Sequence, residues 1–122
     1  PSFSRATLQL LKDGAQLYLA GTASIVGHTS RHRGNPVKQA RETVKNLQAV
    51  VRRVEIEEKL PERGSLGGSI IKVYIRHPSH YEAVQAELRG QLWGIDDVLF
   101  LQGDICRPEL LLEIEGALTY SN

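Results

Sequence analysis

Leu110-Leu111-Leu112-Glu113-Ile114-Glu115-Gly116-Ala117-Leu118 is the stretch that decides how this chain folds. A strand turns successive side chains to opposite faces. Read as a strand over residues 110–118, it places Leu112, Ile114 and Leu118 on one face and Glu113 and Glu115 on the other. One side of the resulting sheet must meet an apolar layer, while the other carries two carboxylates two residues apart.

Further strands precede this one in the sequence. Residues 98–101 read as a strand, and so does the β-branched run 70–75, which reads as a buried one. Residues 6–12 and 16–25 read as a hairpin about Asp13-Gly14, since Gly accepts the backbone of tight turns. Between them lie two helices. Asn35 can cap the first and Pro36 suits its first position. Val37, Ala40, Val44, Leu47 and Val51 then form one apolar stripe at spacings of three and four. Residues 27–34 and 55–68 are polar and Gly-punctuated and read as loops. Ser79 and Glu82 match a capping box. They would start a second helix, carried by Tyr81, Val84, Leu88 and Leu92 and ended at Gly90 or Gly94. The order ββαβαββ predicts an α/β (more strictly α+β) domain over 1–122, with one mixed sheet and both helices on one face.

The 122 residues suit one domain, and a formal charge of +1 gives no general field for nucleic acid or an acidic membrane. No apolar run approaches the roughly 20 residues of a membrane span. The single cysteine excludes an internal disulfide and, with no leader pattern at the start, points to cytoplasmic surroundings. The chain holds no Met, so Pro1 follows either a removed initiator or an earlier part of a longer protein.

Three groups of residues can carry chemistry. Glu113 and Glu115 repel each other on one strand face, and with partial burial one of them becomes an acid that still holds its proton near neutrality. They can equally be solvated charges on an exposed face. Arg107, beside Cys106, can clamp a carboxylate in two-pronged fashion, or simply face water. Cys106 can donate a proton or only fill space. Gly21-Thr22-Ala23-Ser24 lets a ligand approach the backbone of a strand end, or marks close packing between layers. Arg76-His77, at the end of another strand, offers a second cation. His28, His32, His77 and His80 lack the spacing of a zinc site, so neither a metal nor a cofactor is expected.

Several stretches resemble the chorismatase family. They are Phe3-Ser4-Arg5-Ala6, Gly21-Thr22-Ala23-Ser24-Ile25-Val26-Gly27-His28, the segment from Gln39 to Leu47, Lys72-Val73-Tyr74-Ile75-Arg76-His77-Pro78, and the run from Gly103 to Glu115. The Glu-Ile-Glu triplet alone is shared with the wider Rid/YjgF superfamily. The resemblance, to the carboxy-terminal half of chorismatases, implies a chorismate-mutase-like Rid/YjgF fold and a homotrimer with ligand clefts between subunits. It implies that Arg107 holds a substrate carboxylate, with Tyr18, Gly21, Thr22, Ala23 and Arg76 also on the substrate side. It places on Glu113 the acid that protonates an enolpyruvyl group, with Glu115 and Cys106 as further catalytic candidates. Cys106 matches the forms that make hydroxybenzoates. The implied partner is a small carboxylate such as chorismate. The alternatives are Rid-type hydrolysis of imines or enamines such as 2-iminopropionate, and a non-catalytic metabolite-binding trimer.

Overall fold

The computed structural model describes residues 6–26, 29–60, 67–95 and 97–121. Five strands form one mixed sheet in the order β1-β2-β7-β5-β6: β1 (Ala6–Leu11), β2 (Gly14–Thr22), β5 (Ile70–Ile75), β6 (Val98–Gln102) and β7 (Leu112–Ser121). β3 (Ile25–Val26) and β4 (Thr29–Ser30) make a separate short ribbon within the region expected to be strand end and loop. All pairings in the main sheet are antiparallel except β5 with β6. A parallel pair needs a long crossover, and α2 (Tyr81–Leu88) supplies it.

β7 lies at the centre of the sheet, and its alternation is the expected one. Leu112, Ile114, Leu118 and Tyr120 are buried with Leu17 and Leu19 of β2 and with Ile71, Val73 and Ile75 of β5. Ala40, Val44, Leu47 and Val51 of α1 (Pro36–Glu57) and Val84 and Leu88 of α2 close the same core. Both helices therefore cover one face. β5 is buried on that face only, since Lys72 and Tyr74 stand on the other.

α1 starts as expected, with Asn35 Oδ1 accepting from the Lys38 amide at 2.9 Å and Pro36 in the first turn. It runs further than expected, through Glu55, because Glu55 is buried and accepts a 2.6 Å hydrogen bond from the Tyr120 hydroxyl. The Ser79–Glu82 capping box does not form. Ser79 lies in a 3₁₀ turn (Pro78–His80), and α2 begins after it without a side-chain cap. The first hairpin turns at Lys12-Asp13, one residue earlier than expected, so that Gly14 already pairs with Leu11.

Candidate functional site

The face of the sheet away from the helices carries the two carboxylates. β2 bulges between Leu19, opposite Gly116, and Thr22, opposite Ile114, so Ala20 and Gly21 together face Glu115. A bulge bends the strand and re-aims what lies across it. Here it brings the Gly21 backbone beneath the Glu113 side chain. A Cβ at position 21 would overlap the carboxylate oxygen and stand 2.6 Å from Glu113 Cδ, so only glycine leaves this seat open. The group that approaches Gly21 in this structure is thus the chain's own carboxylate.

The two carboxylates differ in their surroundings. Burial, and next the Glu115 charge, hold the Glu113 carboxyl above its ordinary value of 4.5. Glu115 accepts a 2.7 Å hydrogen bond from the Tyr74 hydroxyl, which raises the tyrosine's own pKa. Tyr18 shares this face, its hydroxyl within reach of Gln16 Oε1 at 2.6 Å and Gln9 Oε1 at 3.0 Å. Tyr18, Lys72, Glu115, Gly116 and Ala117 line a shallow depression of about 270 Å³.

Thr22 and Ala23 do not open to a ligand. They are 1% and 4% exposed, and Ala23 packs with Ile105 and Leu110. The Asn46 amide donates to the carbonyls of Ala23 (2.8 Å) and Ile25 (3.0 Å). Their small size serves close packing between layers, the other reading of this motif.

Arg76 also differs from expectation. Its Nε donates to the Leu110 carbonyl at 3.0 Å, and its Nη2 to those of Ile105 at 2.8 Å and Arg107 at 2.9 Å. Nη1 lies 3.7 Å from the exposed Asp104 carboxylate. With three carbonyls on its guanidinium, Arg76 shapes the loop before β7 rather than offering an open fork to substrate. Arg107, half-buried in that loop, donates from Nη1 to Ser30 Oγ at 3.2 Å, and Ser30 donates to Glu109 at 2.8 Å. Glu109 is held below its ordinary carboxyl value by its own backbone N–H, by Ser30, and by the charges of Arg33 and Arg107. Cys106 is a free, exposed thiol at the tip of the loop.

Gln39 was not anticipated from the sequence. It is fully buried, donates to the carbonyls of His32 (3.2 Å) and Glu109 (3.0 Å), and accepts from the Leu111 amide (2.8 Å). It thus ties both loops to α1. Its signal was the pair Gln39 and Thr43, one turn apart on the flank of the apolar stripe. Tyr74 was missed as well, although alternation from Ile71, Val73 and Ile75 puts it on the carboxylate face. His28 lies outside the described residues; among the described residues no three His, Cys, Asp or Glu side chains gather as metal ligands. No described helix is long and apolar enough to cross a membrane.

No family model matches the chain. It is 33% identical to the 3-hydroxybenzoate synthase of Streptomyces hygroscopicus over 97% of its own length and 36% of that protein's. A chorismatase crystal structure superposes with a TM-score of 0.82 at 29% identity, over 97% of this chain and 36% of that one. A member of the YjgF/YER057c/UK114 family from Mycobacterium tuberculosis superposes with a TM-score of 0.67 at 18% identity, over 95% of this chain and 85% of that one, which speaks to fold alone. The chain is therefore similar to chorismatases along nearly all of its own length and about a third of theirs, and has the sheet-and-two-helix fold of the YjgF proteins.

Proposed function

We propose that this domain carries the acid that cleaves the enolpyruvyl ether of chorismate with release of pyruvate. The observation that carries the reading is the Glu113 carboxyl, seated on Gly21 and kept from ionising at its ordinary pH by burial. A carboxylic acid that retains its proton can donate it; an ionised one cannot. Glu113 delivers the proton to the methylene carbon of the enol ether, which leaves an oxocarbenium ion. Water adds to that cation at the former enol carbon and gives up a proton to the Glu113 carboxylate; the hemiketal then breaks the bond between that carbon and the ether oxygen, so that pyruvate leaves and the ring keeps the oxygen as a hydroxyl. Arg107 holds a substrate carboxylate, while Arg76 holds the loop that presents Arg107 and Cys106. Glu115 and Tyr18 line the shallow depression on the same sheet face.

The open sheet face supports a second element of the reading, assembly as a homotrimer. Tyr18, Leu99 and Leu101 are 43%, 48% and 41% exposed on the carboxylate face, and a neighbouring copy would cover them and exclude water from Glu113. Incubation with chorismate and measurement of pyruvate tests the chemistry, and light scattering tests the assembly against the 13.6 kDa of one chain. Pyruvate release that disappears in Glu113→Gln supports the assignment. Turnover retained by that variant removes Glu113 from its role, and turnover of 2-iminopropionate in place of chorismate transfers the site to imine hydrolysis.

A further inference from the structure

The two carboxylates of β7 are chemically identical, and a residue of β5 makes them different. Tyr74 is in register with Glu113, yet its hydroxyl reaches diagonally to Glu115. The ring is backed by the chain before β7, where a Cβ on Gly103 would lie 3.4 Å from Tyr74 Cδ1. A phenol hydroxyl aimed at a carboxylate favours the ionised form, which accepts but does not donate. Glu113 has no equivalent: among the described residues no side chain donates to it, and its carboxyl lies against the Gly21 backbone.

We propose that Tyr74 is the positioning residue that sorts the pair: by donating to Glu115 it holds that side chain as an acceptor and leaves Glu113 as the member that donates a proton. The proposal rests on the reading of Glu113 as the proton donor. Among the described residues, the other titratable groups on this face are Lys72 of β5, in register with Glu115, and Tyr18 of β2, whose hydroxyl is engaged by Gln9 and Gln16. Neither separates the two carboxylates as Tyr74 does, because among the described residues Tyr74 alone places a donor on one of them. Without its hydroxyl the proton divides between two sites, and only one of these faces the reaction. A hydrogen bond to a charged group biases such a balance by about ten-fold or more.

The test uses the full chain and the variants Tyr74→Phe and Glu115→Gln, each checked for an unchanged melt. The first readout needs no substrate: carbon-13 titration of the glutamate side-chain carboxyls. In the wild type Glu113 titrates above 4.5; its titration falls in Tyr74→Phe, and in Glu115→Gln it falls toward 4.5. The second readout is chorismate turnover, where Tyr74→Phe lowers kcat about ten-fold with KM little changed. A Glu113 titration unmoved in Tyr74→Phe overturns the proposal. If that variant fails to fold, a Glu113 titration unmoved in Glu115→Gln overturns it instead. Wild-type protein whose raised Glu113 titration falls in Tyr74→Phe but which releases no pyruvate overturns the assigned reaction and leaves the sorting of the pair intact.

Discussion

The three heavy atoms nearest to a methyl group added at position 21 all belong to Glu113. A Cβ there stands 2.6 Å from Glu113 Cδ and 3.1 Å from Cγ. Non-bonded carbons settle at about 3.5 Å or more, so the carboxyl carbon must withdraw by about 1 Å. The obstacle is the far end of a flexible side chain, and Gly21 is not among the positive-φ glycines, so the backbone can stay in place. Pushing Glu113 off its rotamer costs about 0.5–1.5 kcal/mol, and alanine returns about 0.4–1 kcal/mol by restricting the unfolded chain. Gly21→Ala should therefore change stability by less than about 1 kcal/mol, or a few degrees in Tm. Turnover should fall about 100-fold, the effect of moving a reacting group by about 1 Å. Gly116→Ala is the control: its Cβ would lie 2.7 Å from the Ile70 carbonyl oxygen and 2.8 Å from Ile71 Cδ1, where backbone must yield. Overpacking of that kind costs about 1–3 kcal/mol. Thermal melts and a coupled pyruvate assay read both variants. A Gly21→Ala protein with wild-type melt and wild-type turnover refutes the argument that the seat of Glu113 matters. One as destabilised as Gly116→Ala refutes the argument that only a side chain has to move.

Three other outcomes follow from the same geometry. The raised Glu113 pKa means that the folded protein holds a proton the unfolded chain releases near 4.5, so this group's contribution to stability falls as pH rises from there through the folded value. Glu113→Gln escapes that loss, and its stability advantage over wild type, read from melts across pH, should grow on the alkaline side of the window and vanish on the acid side. Tyr120→Phe removes the 2.6 Å donor from buried Glu55 and should destabilise the fold by about 2–3 kcal/mol in urea unfolding; a loss below about 0.5 kcal/mol would show that Glu55 finds another partner. Gln39→Leu leaves the Glu109 carbonyl and the Leu111 amide without this partner, while the His32 carbonyl keeps the Asn35 amide, and should cost about 2–4 kcal/mol, with faster amide exchange at Leu111; unaltered exchange there would mean that the loop is held without it.

Sequence pattern carried most of the architecture because the core obeys simple periods. Leu112, Ile114 and Leu118 on β7 and Ala40, Val44, Leu47 and Val51 on α1 could be placed from spacing alone, and they meet in one core. The elements that shifted did so for tertiary reasons. A polar Glu55 continues the helix because Tyr120, distant in sequence, offers it a hydrogen bond. Ser79 and Glu82 have the letters of a cap, but the chain enters α2 through a 3₁₀ turn. In the site, the alternation of Glu113 and Glu115 was legible, whereas their inequality was not, since it depends on a bulge in β2 and on a hydroxyl from β5. Arg76 looked like a ligand clamp because sequence shows a cation at a strand end and hides the carbonyls that surround it.

The guanidinium knot under the loop before β7 divides the labour between hidden and outward positions. The curve of residues 105–110 hangs on main-chain oxygens, which every amino acid supplies. Cys106 and Pro108, both exposed, contribute nothing to that suspension. Their identities can be exchanged with the frame left standing, whereas a change of the anchor on β5 takes the donors from three carbonyls at once.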